Sequence, residues 1–162
     1  MRKLVLCGLI LATLSVSAFA GTHKVPAEEP VATVTIPDDW KTEEIDDGIE
    51  ATSSDGEVYL AIEETDGDSV KQSLDEAVKY LSSKGVTVNE SSLKQQEGKL
   101  GEFDVVDLAW DGKDQDGPAK ISLTVVAVTK TQGLLFIYWA SPEGEKKNSA
   151  ALEAIAKSIK KA

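Results

Sequence analysis

The sequence predicts an α+β domain: an antiparallel β-sheet of about six strands with helices on both faces. Three observations carry this. Ile121 to Val128 and Leu134 to Trp139 are β-branched and aromatic runs flanking Lys130-Thr131-Gln132-Gly133, the pattern of a hairpin around a glycine-containing turn. The second run is apolar on both sides, so it should lie mid-sheet, burying Phe136 on one face and Ile137 on the other. Finally, Val70, Leu74, Ala77, Val78 and Leu81, and again Leu152, Ile155, Ala156 and Ile159, recur at helical spacing along a single stripe. Helices of that kind pack by one side only, which suits a sheet covered above and below.

Arg2 and Lys3 precede an apolar run from Leu4 to Leu14, and Ala18-Phe19-Ala20 supplies small residues at the positions a secretory peptidase reads. Residues 1–20 are therefore expected to be a signal peptide cleaved after Ala20, leaving Gly21 as the mature N-terminus and a periplasmic or secreted protein. The run is short of the roughly 20 apolar residues a membrane helix needs, and no later segment comes close, so no membrane span is expected. Cys7 is the only cysteine, and it departs with the leader. Disulfides, thiol nucleophiles and thiolate metal sites are thereby excluded from the mature chain. Losing Arg2 and Lys3 takes the 17 basic residues to 15 against 28 acidic ones, a net charge of −13. Such a field repels phosphate backbones, so nucleic acid is not an expected partner.

The polar stretch 21–30, with Pro26 and Pro30, reads as a flexible leader, and residues 31–162 as one globular domain. Val31 to Ile36 alternates as a first strand stopped by Pro37, after which Trp40 can fold back over the sheet end. Lys41 to Ser53 carries few apolar residues and reads as a weakly packed strand pair turning near Asp47-Gly48. Asp55-Gly56 is a stronger hairpin signal, followed by the alternating Val58, Leu60 and Ile62. Glu63 to Asp68 reads as an acidic turn. Ser69 with Gln72, and Ser73 with Glu76, each fit a capping box for the middle helix, and Gly85 fits its stop. Val86 to Gln95 and Leu100 to Trp110 are further strand candidates. Ser141-Pro142-Glu143 opens the last helix with a cap, a first-turn proline and an acid near the positive end of the dipole.

A strand ending in Ile36-Pro37-Asp38-Asp39-Trp40, a Ser53-Ser54-Asp55-Gly56 turn before a strand, a middle helix, a long hairpin and a closing helix carrying Ser158 together resemble the PsbP-like superfamily. That group includes the extrinsic oxygen-evolving-complex protein, the Ran-binding Mog protein and DcrB-like bacterial envelope proteins, and the signal peptide places this chain nearest the last. The resemblance covers about Val31 to Ile159. It implies an α/β/α sandwich serving as a binding or assembly module, with no family active site to carry over.

Candidate chemistry is sparse. His23 is the single histidine, and after cleavage at Ala20 it becomes the third residue of a free Gly21-Thr22-His23 terminus. The α-amine, two amide nitrogens and the imidazole could then close a square-planar site for Cu(II) or Ni(II), although one histidine in a polar leader is also simply incidental. Asp114-x-Asp116-Gly117 resembles part of a calcium loop but has Gly112 at the first ligand position and Leu123 where the bidentate Glu belongs, so it reads as a solvated turn. Ser91-x-x-Lys94 and Ser158-x-x-Lys161 match an acyl-enzyme spacing without its companion motifs. Trp110, at a strand end beside a charged loop, and Trp40 are the candidates for a partner surface, while Trp139 in its apolar strand reads as core. The expectation is a non-catalytic module binding another envelope protein, with the Gly21 to His23 metal site as the alternative and a carboxylate hydrolase third.

Overall fold

The computed structural model describes residues 20–162. The proposed signal peptide and its cleavage lie outside them, except for Ala20. In chain order the elements are β1 (Ala20–Val25), β2 (Ala32–Pro37), β3 (Lys41–Ile45), β4 (Gly48–Thr52), β5 (Val58–Asp66), α1 (Val70–Ser83), β6 (Thr87–Val88), a 3-10 turn (Glu90–Ser92), β7 (Lys94–Leu100), β8 (Phe103–Lys113), β9 (Pro118–Ala127), β10 (Gln132–Ala140), α2 (Pro142–Lys157) and β11 (Lys160–Lys161). No helix among the described residues is long and apolar enough to cross a membrane.

The main sheet is antiparallel, in the order β3-β4-β5-β10-β9-β8-β6, with β7 also paired to β8. It has eight strands rather than about six. β7, Lys-Gln-Gln-Glu-Gly-Lys-Leu, escapes periodicity because neither of its faces reaches the core: it is exposed along nearly its whole length. β3 is as exposed, and with β4 it forms the weakly packed pair turning near Asp47-Gly48 that the sequence suggests. The hairpin read from sequence is β9–β10, and β10 lies mid-sheet between β5 and β9. Its two faces separate the two halves of the core. Leu135 and Ile137 join Ile121, Leu123 and the helix residues Ala77 and Leu81 on the α1 side. Leu134 and Tyr138 join Leu60, Ile62 and Ile155 of α2 on the other. Ile137 is buried as expected, whereas Phe136 is only partly so, because it borders an open groove beside Leu152 and Ala156 of α2.

The α2 side has a second cover that the sequence did not announce. A separate three-stranded sheet, β1-β2-β11, lies against it, contributing Val25, Ala32, Val34 and Ile36 to the core. Residues 21–25 are therefore not a flexible leader, and the globular unit begins about ten residues earlier than expected. The six residues Ala20 to Val25 pair in register with Pro37 to Ala32. Val25 is 0% exposed, and the Thr22 and Thr35 hydroxyls meet at 3.0 Å. The opposite edge of β2 takes Lys160 and Lys161, so the two ends of the domain flank one strand.

Other expectations change locally. Glu63 to Asp66 form the end of β5 rather than an acidic turn, paired to Leu135 through Gln132. Ser69 precedes α1 but makes no side-chain cap, and Ser73 bonds Thr65 across to β5 at 2.9 Å instead of capping the helix. Gly85 does end α1, at φ +78°, a conformation in which a side chain is strained. Ser141 caps α2 by accepting from the Gly144 amide at 2.9 Å.

Candidate functional site

On the α1 face, one end of the main sheet carries a row of directly opposed residues. The registers place Tyr59 against Trp139, Trp139 against Ile121, and Ile121 against Trp110. Residues opposed across strands share a face, so three aromatic rings and an isoleucine run side by side over four strands. The Tyr59 and Trp139 rings stack at a centroid distance of 3.9 Å and 22° between planes. Tyr80, projecting from α1, tilts against both at 6.3 and 6.5 Å. All four aromatic residues are half-buried: they cap the inner cluster without being enclosed by it.

Hydrogen bonds hold the rings in place. The Tyr80 hydroxyl donates to Glu50 Oε1 at 2.9 Å, so the 2.5 Å contact between the two tyrosine hydroxyls takes its proton from Tyr59. Burial is the leading reason that both phenols titrate above their ordinary range. At Tyr59 the Tyr80 hydroxyl and Glu50 push the same way. Both are neutral donors at physiological pH, ending in a carboxylate acceptor. Lys84, one turn along from Tyr80, sets its ammonium 5.1 Å from the centre of the Tyr80 ring.

The stacked pair forms one wall of a cavity of about 480 Å³. Its other walls are acidic, with Glu57, Asp114, Asp116 and Glu143 in the lining and no lysine or arginine. The loop after β8 is shaped by Asp114, whose Oδ1 accepts from the Asp116 and Gly117 amides at 2.9 and 3.1 Å, which is why the calcium-like fragment is a closed turn. The start of α2 is fastened to the turn before β5. Ser141 donates its hydroxyl to Glu57 Oε2, and a Cβ on Gly144 would lie 2.3 Å from that of Glu57, so only glycine permits the approach. Beside it, Asp55 is held below the usual carboxylate range by the Ser53 hydroxyl and the Glu57 amide. Asp116 has no ion pair among the described residues, and Glu143 has a distant one to Lys147 at 3.8 Å.

The residues singled out from sequence are scattered. Trp110 belongs to the aromatic row. Trp40 does not: it is 5% exposed and packed in the α2-side core, so its ring is no partner surface. Its amide closes a turn onto the Pro37 carbonyl at 3.0 Å, which folds the indole inward. Trp139 is a half-buried surface aromatic rather than core, and Tyr80 and Glu50 carry no signal in the sequence. Tyr80 sits on the helix stripe one residue before Leu81, and nothing local distinguishes it from packing. Gly21, Thr22 and His23 lie in β1, opposite Ile36, Thr35 and Val34. The imidazole folds back along the strand, since a methyl group on Gly21 would meet His23 Nε2 at 3.1 Å. No cluster of three or more His, Cys, Asp or Glu side chains among the described residues could hold a metal. Ser158 is engaged structurally, accepting the Thr35 amide at 2.8 Å and donating to the Ile155 carbonyl at 2.6 Å.

No protein-family model matches the sequence, and no curated protein does. Solved structures do match. Cyanobacterial PsbP from Synechocystis sp. PCC 6803 is similar with a TM-score of 0.60 over 94% of this chain and 99% of that one, at 9% identity. LpqN, described as involved in cell envelope biogenesis of Mycobacterium tuberculosis, gives 0.54 over 86% and 90% at 14% identity. The Ran-binding protein Mog1p of Saccharomyces cerevisiae gives 0.50 over 88% and 96% at 10% identity. The chain has the fold shared by PsbP, LpqN and Mog1p, and at these identities the likeness is one of fold.

Proposed function

We propose that this protein is a non-catalytic binding module of the bacterial envelope, periplasmic or secreted, that docks another envelope protein through the aromatic end of its α1 face. The observation that carries the reading is the row Tyr59, Trp139, Ile121 and Trp110 with Tyr80 beside it: its four aromatic rings are half-buried around the buried Ile121, and the Tyr59–Trp139 stack borders a cavity that none of the described residues fills. Aromatic side chains offer large, stiff contact area and dominate protein interfaces. The proteins of like fold include one described as Ran-binding and one as involved in envelope biogenesis, which agrees with a binding role. The test is capture from envelope extract by wild type and by Trp110→Ala and Trp139→Leu variants with unaltered circular dichroism. A partner retained by wild type and lost with both variants supports the reading, and equal retention by all three counts against this surface.

A second reading has one observation in its favour. With Gly21 as the mature terminus, the His23 ring lies beside Gly21, its Nε2 3.1 Å from where a methyl group on Gly21 would stand, so the imidazole and the α-amine of a Cu(II) or Ni(II) site start as neighbours. The Thr22 and His23 amides belong to a paired strand, so such an ion would have to open the end of β1. Titration of protein beginning at Gly21, beside His23→Ala, checks it through the visible band of a four-nitrogen site.

A further inference from the structure

We infer that the aromatic end of the sheet takes a basic segment of its partner, with a lysine or arginine side chain laid against the Trp139–Tyr59 stack and its cationic head among Asp114, Asp116 and Glu143. The inference rests on the docking surface proposed above and names the chemistry of its occupant. Charge complementarity selects it. The cavity beside the stack is lined by four carboxylates and no cation, in a chain with a net charge of −11. An anionic segment would meet like charges on three sides, and an uncharged one would leave those carboxylates to be desolvated without compensation. A long aliphatic stem ending in a cation satisfies both wall types at once, since methylene groups cover ring faces while the head stays with the acids. A cation already rests against the same aromatic group at its rim, where the Lys84 ammonium sits 5.1 Å from the Tyr80 ring centre. Asp116 has no ion pair among the described residues and Asp114 spends only one oxygen on its turn, so acceptors are free without breaking an internal bond. Glu57 is the exception, because its carboxylate is held by Ser141. It shapes the cavity and is not assigned to the cation.

The experiment follows the indole and backbone resonances of the isotopically labelled protein during titration with three acetylated peptides: oligolysine, oligoglutamate, and an uncharged Ser/Leu peptide of equal length. Oligolysine is expected to shift the Trp139 indole and the amides around Asp116 and Glu143. Its affinity should fall about tenfold or more in the Asp114→Asn, Asp116→Asn, Glu143→Gln variant. These side chains lie outside the core, so that variant keeps the fold even where Trp139→Leu does not. Oligoglutamate should leave the spectrum unchanged. If the uncharged peptide shifts Trp139 as strongly as oligolysine does, the docking surface stands and its basic occupant is overturned. If oligolysine binds the triple variant as tightly as wild type, the attraction belongs to overall charge and the inference fails. If no peptide moves Trp139, the inference and the docking surface fail together.

Discussion

Tyr59 and Trp139 stack across neighbouring strands at 3.9 Å, and the Tyr59 hydroxyl continues through Tyr80 to Glu50. A stacked pair contributes about 0.5–1.5 kcal/mol beyond its buried area, and a net hydrogen bond about as much again. Tyr59→Phe should therefore cost about 1 kcal/mol in urea unfolding by loss of the hydroxyl, whereas Tyr59→Leu should lose the stacking as well. If the two substitutions cost the same, the stack contributes nothing and the row is held by burial alone.

Glu63 gives a pH dependence of definite sign. Its carboxyl is pushed above the usual range, first by burial and then by the like charges of Asp47, Glu50 and Glu76. Between its unfolded pKa and this raised folded value, the native state holds the proton more firmly than the unfolded chain. Stability from this group is thus full below the unfolded pKa and is lost as pH rises through the folded one. Glu63→Gln should raise the unfolding midpoint at neutral pH and leave it unchanged at a pH below the ordinary glutamate range. A gain of equal size at both pH values would assign the effect to packing instead.

The small sheet makes residues 20–25 part of the fold. Val25→Ala should cost about 1.5–3 kcal/mol, the value of a fully buried valine, although the sequence around it reads as a polar leader. Ser158→Ala should cost a further 1–3 kcal/mol or so by stranding the Thr35 amide that the hydroxyl now receives. Negligible losses from both, measured by chemical denaturation, would mean that β1 and β11 fray from β2 in solution.

Much of the fold was legible because its signals are local. The β9–β10 hairpin announces itself by two apolar runs flanking a short polar break, although Gly133 falls inside β10 and the turn itself is residues 128–131; α1 announces itself by its stripe and Gly85, and α2 by Ser141 and Pro142. What stayed hidden depends on distant pairing. β1 has a single fully buried apolar residue, Val25, and becomes a strand only because β2 offers an edge. β7 has neither an apolar face nor a need for one. The candidate site was less legible still: the Tyr59–Tyr80 and Tyr80–Glu50 bonds join residues 21 and 30 positions apart. Trp110 and Trp40 look alike in sequence, and only the turn at Pro37 sends one indole into the core. Phe136 shows the converse, since a strand apolar on both sides still leaves one ring at the lip of a groove. Phe136→Ala should accordingly fall below the roughly 3–5 kcal/mol of a fully packed phenylalanine.

The most direct test of the docking surface is photo-crosslinking in intact cells, with a benzoylphenylalanine placed at Pro118, an exposed position lining the cavity beside Trp139, or at Ala154, exposed on α2 across the sheet. A discrete adduct from position 118, absent from position 154 and lost when Trp139→Leu is added to a folded protein, is the expected result. Adducts of the same mass from position 154 alone would place the partner on the opposite face and contradict the account.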